Sequence, residues 1–186
     1  MPRTIRAALA AFLIIGVTGA ILLAMGRPPI CTCGEIDLWV SSGDSPRTSQ
    51  MLADWYSPSH IIHGFLFYAA LWVVARRWPV ERRFLVALAL ECAWEVLENT
   101  SWAIQRYREA TVAIGYTGDS ILNSMSDILM MAAGFWLARK LPLWLTIAAA
   151  MALEMAALAA VRDNLGLNVW MFLAPNEAIK AWQSES

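Results

Sequence analysis

The residues best suited to chemistry are ionisable ones set in otherwise apolar stretches. His60 and His63 are three apart and fall on one face of a helix. Glu91, Glu95 and Glu98, with Asn99 beside them, are spaced by four and three, which puts all three carboxylates on one helical face. Asp119, Asn123 and Asp127 repeat the pattern at intervals of four, and Arg162, Asp163 and Asn164 follow another apolar run that contains Glu154. Adjacent carboxylates in a low-dielectric site cannot all stay ionised without a cation or shared protons. Imidazole with carboxylate suits zinc, manganese or iron alike, and a divalent metal would acidify a bound water.

The candidate catalytic residues are therefore His60, His63, Glu95, Glu98, Asp119 and Asp127, with His60, His63, Glu95 and Asp119 as candidate ligands of a divalent metal. Arg162 suits an anionic headgroup or phosphate, and Asn99, Asn123 and Asp163 complete a candidate substrate-binding set. Plainer roles compete. The histidines could line an interface, and Glu98 and Asn99 could satisfy a helix end. Asp119 could be an N-cap, Asn123 an interhelical hydrogen bond, and Arg162 a counter-ion for Asp163 or Glu154. Neither His-Glu-x-x-His nor Gly-x-Ser-x-Gly occurs in the chain.

The elements that must position these residues are membrane helices. Of 186 residues, 59 % are hydrophobic and 16 % charged, and the mean hydropathy is +0.50. A soluble domain carries about a quarter charged residues. Ten tryptophans suit the water–lipid boundary. The net charge of −1 gives no footprint for nucleic acid. Membrane lipid is the expected partner, and the oligomeric state is left open. The chain reads as all-α, a single polytopic membrane domain over 1–186 with about five spans at 7–25, 60–78, 84–99, 119–138 and 143–161. Outer loops cover 26–59 and 100–118, and residues 167–184 form an interfacial C-terminal segment whose tail Asn176 could cap. The first span reads as a retained anchor, since Gly26-Arg27-Pro28-Pro29 lacks a small-x-small cleavage site.

Arg3, Arg6, Arg76, Arg77, Arg82, Arg83, Arg139 and Lys140 cluster at alternate helix ends, diluted only by Glu81. Such clusters mark cytoplasmic ends, so the N-terminus is expected inside and the C-terminus outside. That orientation gathers the polar ends of four helices at the outer face, with Glu91, Asp127 and Glu154 deeper. Intramembrane charges are costly and signal function by default. Cys31 and Cys33 lie just past the first span. A labile bridge, a soft-metal pair and plain loop residues are all open readings, while Cys92 reads as packing.

Several strings carry a resemblance: WYSPSHIIHGF at 55–65, AWEVLEN at 93–99, GDSILNS at 118–124 with Asp127, RDN at 162–164 and PICTCG at 29–34. Together they resemble the bacterial protein family 0314, a DUF2585-type membrane protein, over nearly the whole chain after the first span. The resemblance implies a multi-pass protein of the bacterial inner membrane and no assigned activity. A slighter likeness is to VanZ-like membrane proteins. There a histidine follows a polar loop before one span, and Asp/Asn residues spaced by four open a later one ahead of a glycine such as Gly134.

Two functions compete. One is a hydrolase or transferase acting at the outer leaflet on a lipid or lipid-linked substrate. The other is a non-enzymatic protein that binds or moves an ion or lipid, with Glu91, Asp127 and Glu154 as its deep steps. A conduit needs two mouths, and no polar residues mark a second.

Overall fold

The structure, a computed structural model, describes residues 1–43, 45–111 and 115–184. Among these it is all-helical, with eight helices and no strand: α1 Arg3–Ala24, α2 Ser57–Val74, α3 Val80–Glu98, α4 Ser101–Ala110, α5 Ile121–Lys140, α6 Leu143–Val161, α7 Leu165–Leu173 and α8 Glu177–Ser184. Four of them, α1, α2, α5 and α6, are long and apolar enough to cross a membrane. At 19 residues, α3 has the length to cross, but its ionisable residues set it apart in composition.

Local chemistry fixes the helix ends. Gly26 takes a left-handed conformation (φ 81°) and stops α1, while the Arg27 N–H reaches back to the Leu22 carbonyl. Pro58 opens α2, where its missing N–H costs nothing. α5 starts two residues later than its polar pattern suggests because Ser120, not Asp119, is the N-cap, accepting from the Asn123 N–H. α2 ends at Val74, short of the expected 78, because Ala75 leaves helical geometry. Residues 100–118, read from sequence as a loop, contain α4, which Thr100 caps through the Ala103 N–H. The 167–184 segment resolves into α7, capped by Asn164, and α8, whose first N–H groups Asn176 accepts.

The molecule is packed inside out relative to a soluble domain. Phe12 is 82 % exposed, and Leu13, Leu143, Trp144, Met151 and Met155 also face outward, while Glu91 and Glu95 are fully buried. An exposed apolar belt of this kind needs lipid to cover it. The interior between α1, α2, α3 and α5 is filled by Leu71, Ala87, Leu88, Cys92, Ile128, Met131 and Phe135. Cys31 and Cys33 are joined as a disulfide, and Cys31 packs with Val40 and Met51.

The largest interface joins α2 and α5, and two glycines make it. A Cβ on Gly64 would fall on the Met131 carbonyl oxygen and 2.5 Å from the Phe135 nitrogen, and one on Gly134 would fall on the Ile61 carbonyl oxygen. Backbone cannot give way as a side chain can. Gly64→Ala and Gly134→Ala should each cost at least the roughly 1–3 kcal/mol typical of overpacking. Gly19→Ala, with nothing within 4 Å of the added carbon, should be neutral. Denaturant titration in detergent micelles checks this, and equal effects at all three positions would refute the close contact.

Candidate functional site

α2 and α5 both begin at the end of the bundle where α3 finishes, so three helices bring polar faces together there. His60 Nδ1 lies 2.6 Å from Glu91 Oε1. His63 Nδ1 lies 3.1 Å from Glu91 Oε2 and 3.3 Å from Oε1. One carboxylate thus joins both imidazoles. The same His60 nitrogen is 3.5 Å from Glu95 Oε1, and its Nε2 is 3.7 Å from Asp127 Oδ2. His60, Glu91, Glu95 and Asp127 are buried, and His63 is partly so. The His60 and His63 rings meet edge to face, and His63 also packs against Phe67 and Trp94.

Among the described residues, two groups bring ligand atoms within 4.8 Å of one another: His60, His63 and Glu91, and His60, Glu95 and Glu98. Neither Glu95 oxygen has a hydrogen-bond partner among the described residues, and Asp127 Oδ1 has none either. Buried polar atoms are normally paired. A buried unpaired carboxylate is expensive and calls for a cation or a proton.

The remaining sequence candidates fall differently. Asp119 stands outside both groups because its oxygens are already engaged. Tyr116 Oη donates to Oδ1 at 2.9 Å, and Asn99 Nδ2 donates to Oδ2 at 2.8 Å. Asn99 Oδ1 in turn accepts from the Asp119 N–H at 2.7 Å, and Asn99 Nδ2 also donates to the Glu95 carbonyl at 3.0 Å. Asn99 and Asp119 therefore brace the ends of α3 and α5 against each other. Asn123 Nδ2 donates to the Met51 carbonyl and holds down the 49–54 loop rather than another helix. Arg162 points away from the site. Its guanidinium donates to the Trp182 carbonyl and lies over the Trp182 ring, and it pairs with neither Asp163 nor Glu154 among the described residues. Glu154 is engaged locally: its carboxylate accepts the Leu165 and Gly166 N–H groups at the start of α7.

Beside the histidines opens a cavity of about 400 Å³. His60, His63, Trp94, Glu98, Asp127 and Asp163 line it, together with Tyr107 and Tyr116, and no Lys or Arg does so among the described residues. Burial pushes the Tyr116 hydroxyl well above its usual range, and the neighbouring Asp119 charge adds to the rise. Asp54 is also raised by burial, against the pull of the Ser49 and Tyr56 N–H groups that its oxygens accept. Glu91 is the residue nearest both histidines, yet it lay outside the metal set read from sequence. Tyr107, Tyr116 and Trp94 carried no periodic signal and went unread.

Comparison with known proteins sets this geometry in a lineage. A family model described as a protein of unknown function, DUF2585, matches residues 22–185, which include every residue of the site. The chain belongs to that family. Its DUF2585 relatives include the UPF0314 protein of Paracoccus denitrificans, 49 % identical over 175 residues, covering 94 % of this chain and 91 % of the relative. The UPF0314 protein of Sphingopyxis alaskensis is 50 % identical over 181 residues, 95 % and 94 % of the two chains. That of Agrobacterium fabrum is 52 % identical over 164 residues, 88 % and 83 %. No solved structure matches the chain.

Asp163 gives the site a pH signature. It lies just past α6, and burial pushes its carboxyl up to about 6, against the opposing bonds from Asn168 Nδ2 and the Asn164 N–H. The folded-state value is above the ordinary aspartate value of 3.8, so the folded form holds the proton more tightly. Its contribution to stability is complete below pH of about 4 and is lost as pH rises through about 6. Asp163→Asn should flatten the fall in melting temperature between pH 4 and 7, and an unchanged slope would refute this assignment.

Proposed function

We propose that this DUF2585 protein is a metal-dependent hydrolase or transferase of the bacterial inner membrane, acting on a lipid or lipid-linked substrate at the outer face. In this reading α3 is the fifth span, the N-terminus is inside and the C-terminus outside. The observation that carries the proposal is Glu95, a fully buried carboxylate with no hydrogen bond to either oxygen, His60 Nδ1 3.5 Å away and Glu98 beside it.

The donor set fits a divalent ion. A metal-bound histidine normally gives its other ring N–H to a carboxylate, which fixes its tautomer. Glu91 stands where it can accept from Nδ1 of both His60 and His63, which leaves each Nε2 lone pair free. His60, Glu95 and Glu98 would then hold the ion, with Asp127 beside His60 Nε2. A divalent ion bound there would supply Lewis acidity and an acidified water. His63 lines the cavity and would act as the general base, oriented by Glu91. Phe67 and Trp94 against its ring restrict its rotation and exclude water. With no Lys or Arg in the lining, an anionic substrate group would depend on the ion for its charge balance.

The cavity's position supports a membrane-borne substrate. Leu153, Glu154 and Ala157 of α6 form part of its wall, and the opposite surface of that helix is exposed and apolar. A conduit reading has less support. Beyond Glu91 and Asp127, toward the arginine-bearing end, the space is filled by Leu88, Ile128, Met131 and Phe135, and a one-sided cavity suits binding and turnover.

Metal analysis of detergent-purified protein, prepared without chelator, tests the proposal. The wild type should carry a divalent metal at close to one ion per chain, and Glu95→Gln should lose it. Because that change removes a buried unpaired charge, the variant should be at least as stable as wild type stripped of metal. Wild type free of metal, or Glu95→Gln with full occupancy, would sink the proposal.

A further inference from the structure

The other end of the bundle holds a second set of residues that the proposed chemistry does not use. The end of α2, the start of α3 and the end of α5 carry Arg76, Arg77, Arg82, Arg83, Arg139 and Lys140, with Glu81 the one acid in those stretches. Among the described residues none of the six has a carboxylate within ion-pair distance; the ion pairs belong to Arg47, His60 and His63.

Arg83 stands out within this set. It is only 9 % exposed, and its Nε and Nη1 have no hydrogen-bond partner. Its guanidinium lies 5.6 Å over the Tyr68 ring. Tyr68 meets Phe135, which meets Phe84 and Trp136, and Arg139 lies 5.3 Å over Trp136. The rings meet largely edge to face around the fully buried Phe135. Stacking satisfies the face of the Arg83 guanidinium and leaves its Nε and Nη1 donors unused. A cation this buried needs an anion, and the planar fork of arginine matches phosphate. At the arginine-bearing end of a membrane protein, the abundant phosphate is that of an anionic lipid. Around it Trp72 under Arg76 and Trp78 under Arg82 suit the headgroup layer.

We infer that Arg83, stacked on Tyr68, binds the phosphate of an anionic phospholipid at the face opposite the candidate active site, with Arg139 on Trp136 at the same end of the bundle. The site depends on none of the residues proposed for metal binding, so either assignment stands or falls alone.

The test uses full-length protein, delipidated in mild detergent, titrated with phosphatidylglycerol, phosphatidylcholine or inorganic phosphate, and read by native mass spectrometry and thermal shift. The wild type should take up phosphatidylglycerol saturably and phosphatidylcholine weakly. Arg83→Gln should weaken phosphatidylglycerol binding by about tenfold or more, the loss expected when charge-assisted hydrogen bonds are removed. Arg83→Lys, which keeps the charge without the fork, should fall between, and it serves as the folded variant should the glutamine change fail to fold. Arg77→Gln, at an exposed arginine, should change binding little. Equal binding by wild type and both Arg83 variants would overturn the site. Equal uptake of the two lipids, or competition by millimolar phosphate as effective as the lipid, would overturn its assignment to an anionic lipid.

Discussion

The backbone contact between α2 and α5 is the constraint on which the rest of the structure depends. In lipid there is no hydrophobic drive to press apolar helices together, so close association rests on small residues that let backbones touch. Gly64 and Gly134 supply that contact, and it sets the placement of the site. His60 lies one turn before Gly64 on the same face, and Asp127 two turns before Gly134 on the facing one. Holding the glycines together therefore brings His60 Nε2 to Asp127. α3 then runs antiparallel along the other side of His60 and presents Glu91 and Glu95 to Nδ1. A change of register at the glycines would separate the two helices' polar groups and leave each buried alone.

That arrangement resolves most of the burial cost and leaves a defined remainder. Glu91 is answered by two imidazoles, and Asp119 by Tyr116, Asn99 and its own place at a helix start. The loops above are stitched to the same frame. Ser120 donates to the Gln50 carbonyl, Gln50 Nε2 to the Gly118 carbonyl, and Asn123 to that of Met51. Glu95 keeps only a 3.5 Å approach to His60 Nδ1, and neither its oxygens nor Asp127 Oδ1 has a hydrogen bond among the described residues. In a network otherwise so fully paired, unused acceptors next to a histidine mark where a cation or a proton belongs.

Much of this was legible in the sequence, because the periods of three and four in an apolar background have few readings. The all-helical class and the membrane character follow from composition and apolar runs, and the convergence of His60, Glu95, Glu98 and Asp127 from their spacing together with the basic clusters at alternate helix ends. The partition within the polar set did not follow. Asp119 and Ser120 are both good N-caps, and only the loop that reaches Ser120 decides between them. Arg162 has acids as sequence neighbours, but its left-handed backbone turns the side chain toward Trp182. Glu91 could have been paired with the histidines by depth. His63 is six residues in from Ser57, Glu91 seven from Glu98, and Asp127 six from Ile121. At 1.5 Å per residue these are all about 9–10 Å from the same end. Asp119, at the helix start, is about two turns too high to join them.

The two ends of the bundle solve the same electrostatic problem with opposite signs. At one end, carboxylates are buried against two histidines, and the shortfall is positive charge. At the other, arginines stack on aromatic rings, and the shortfall is negative charge. Neither shortfall can be met by the opposite end, since a packed apolar layer of Leu88, Ile128, Met131 and Phe135 lies between them. In the proposed reading the acidic end draws its missing charge from a small cation that enters a cavity of about 400 Å³. The basic end, with its ring-stacked guanidinium groups at the headgroup layer, is matched to an anion held by the bilayer itself.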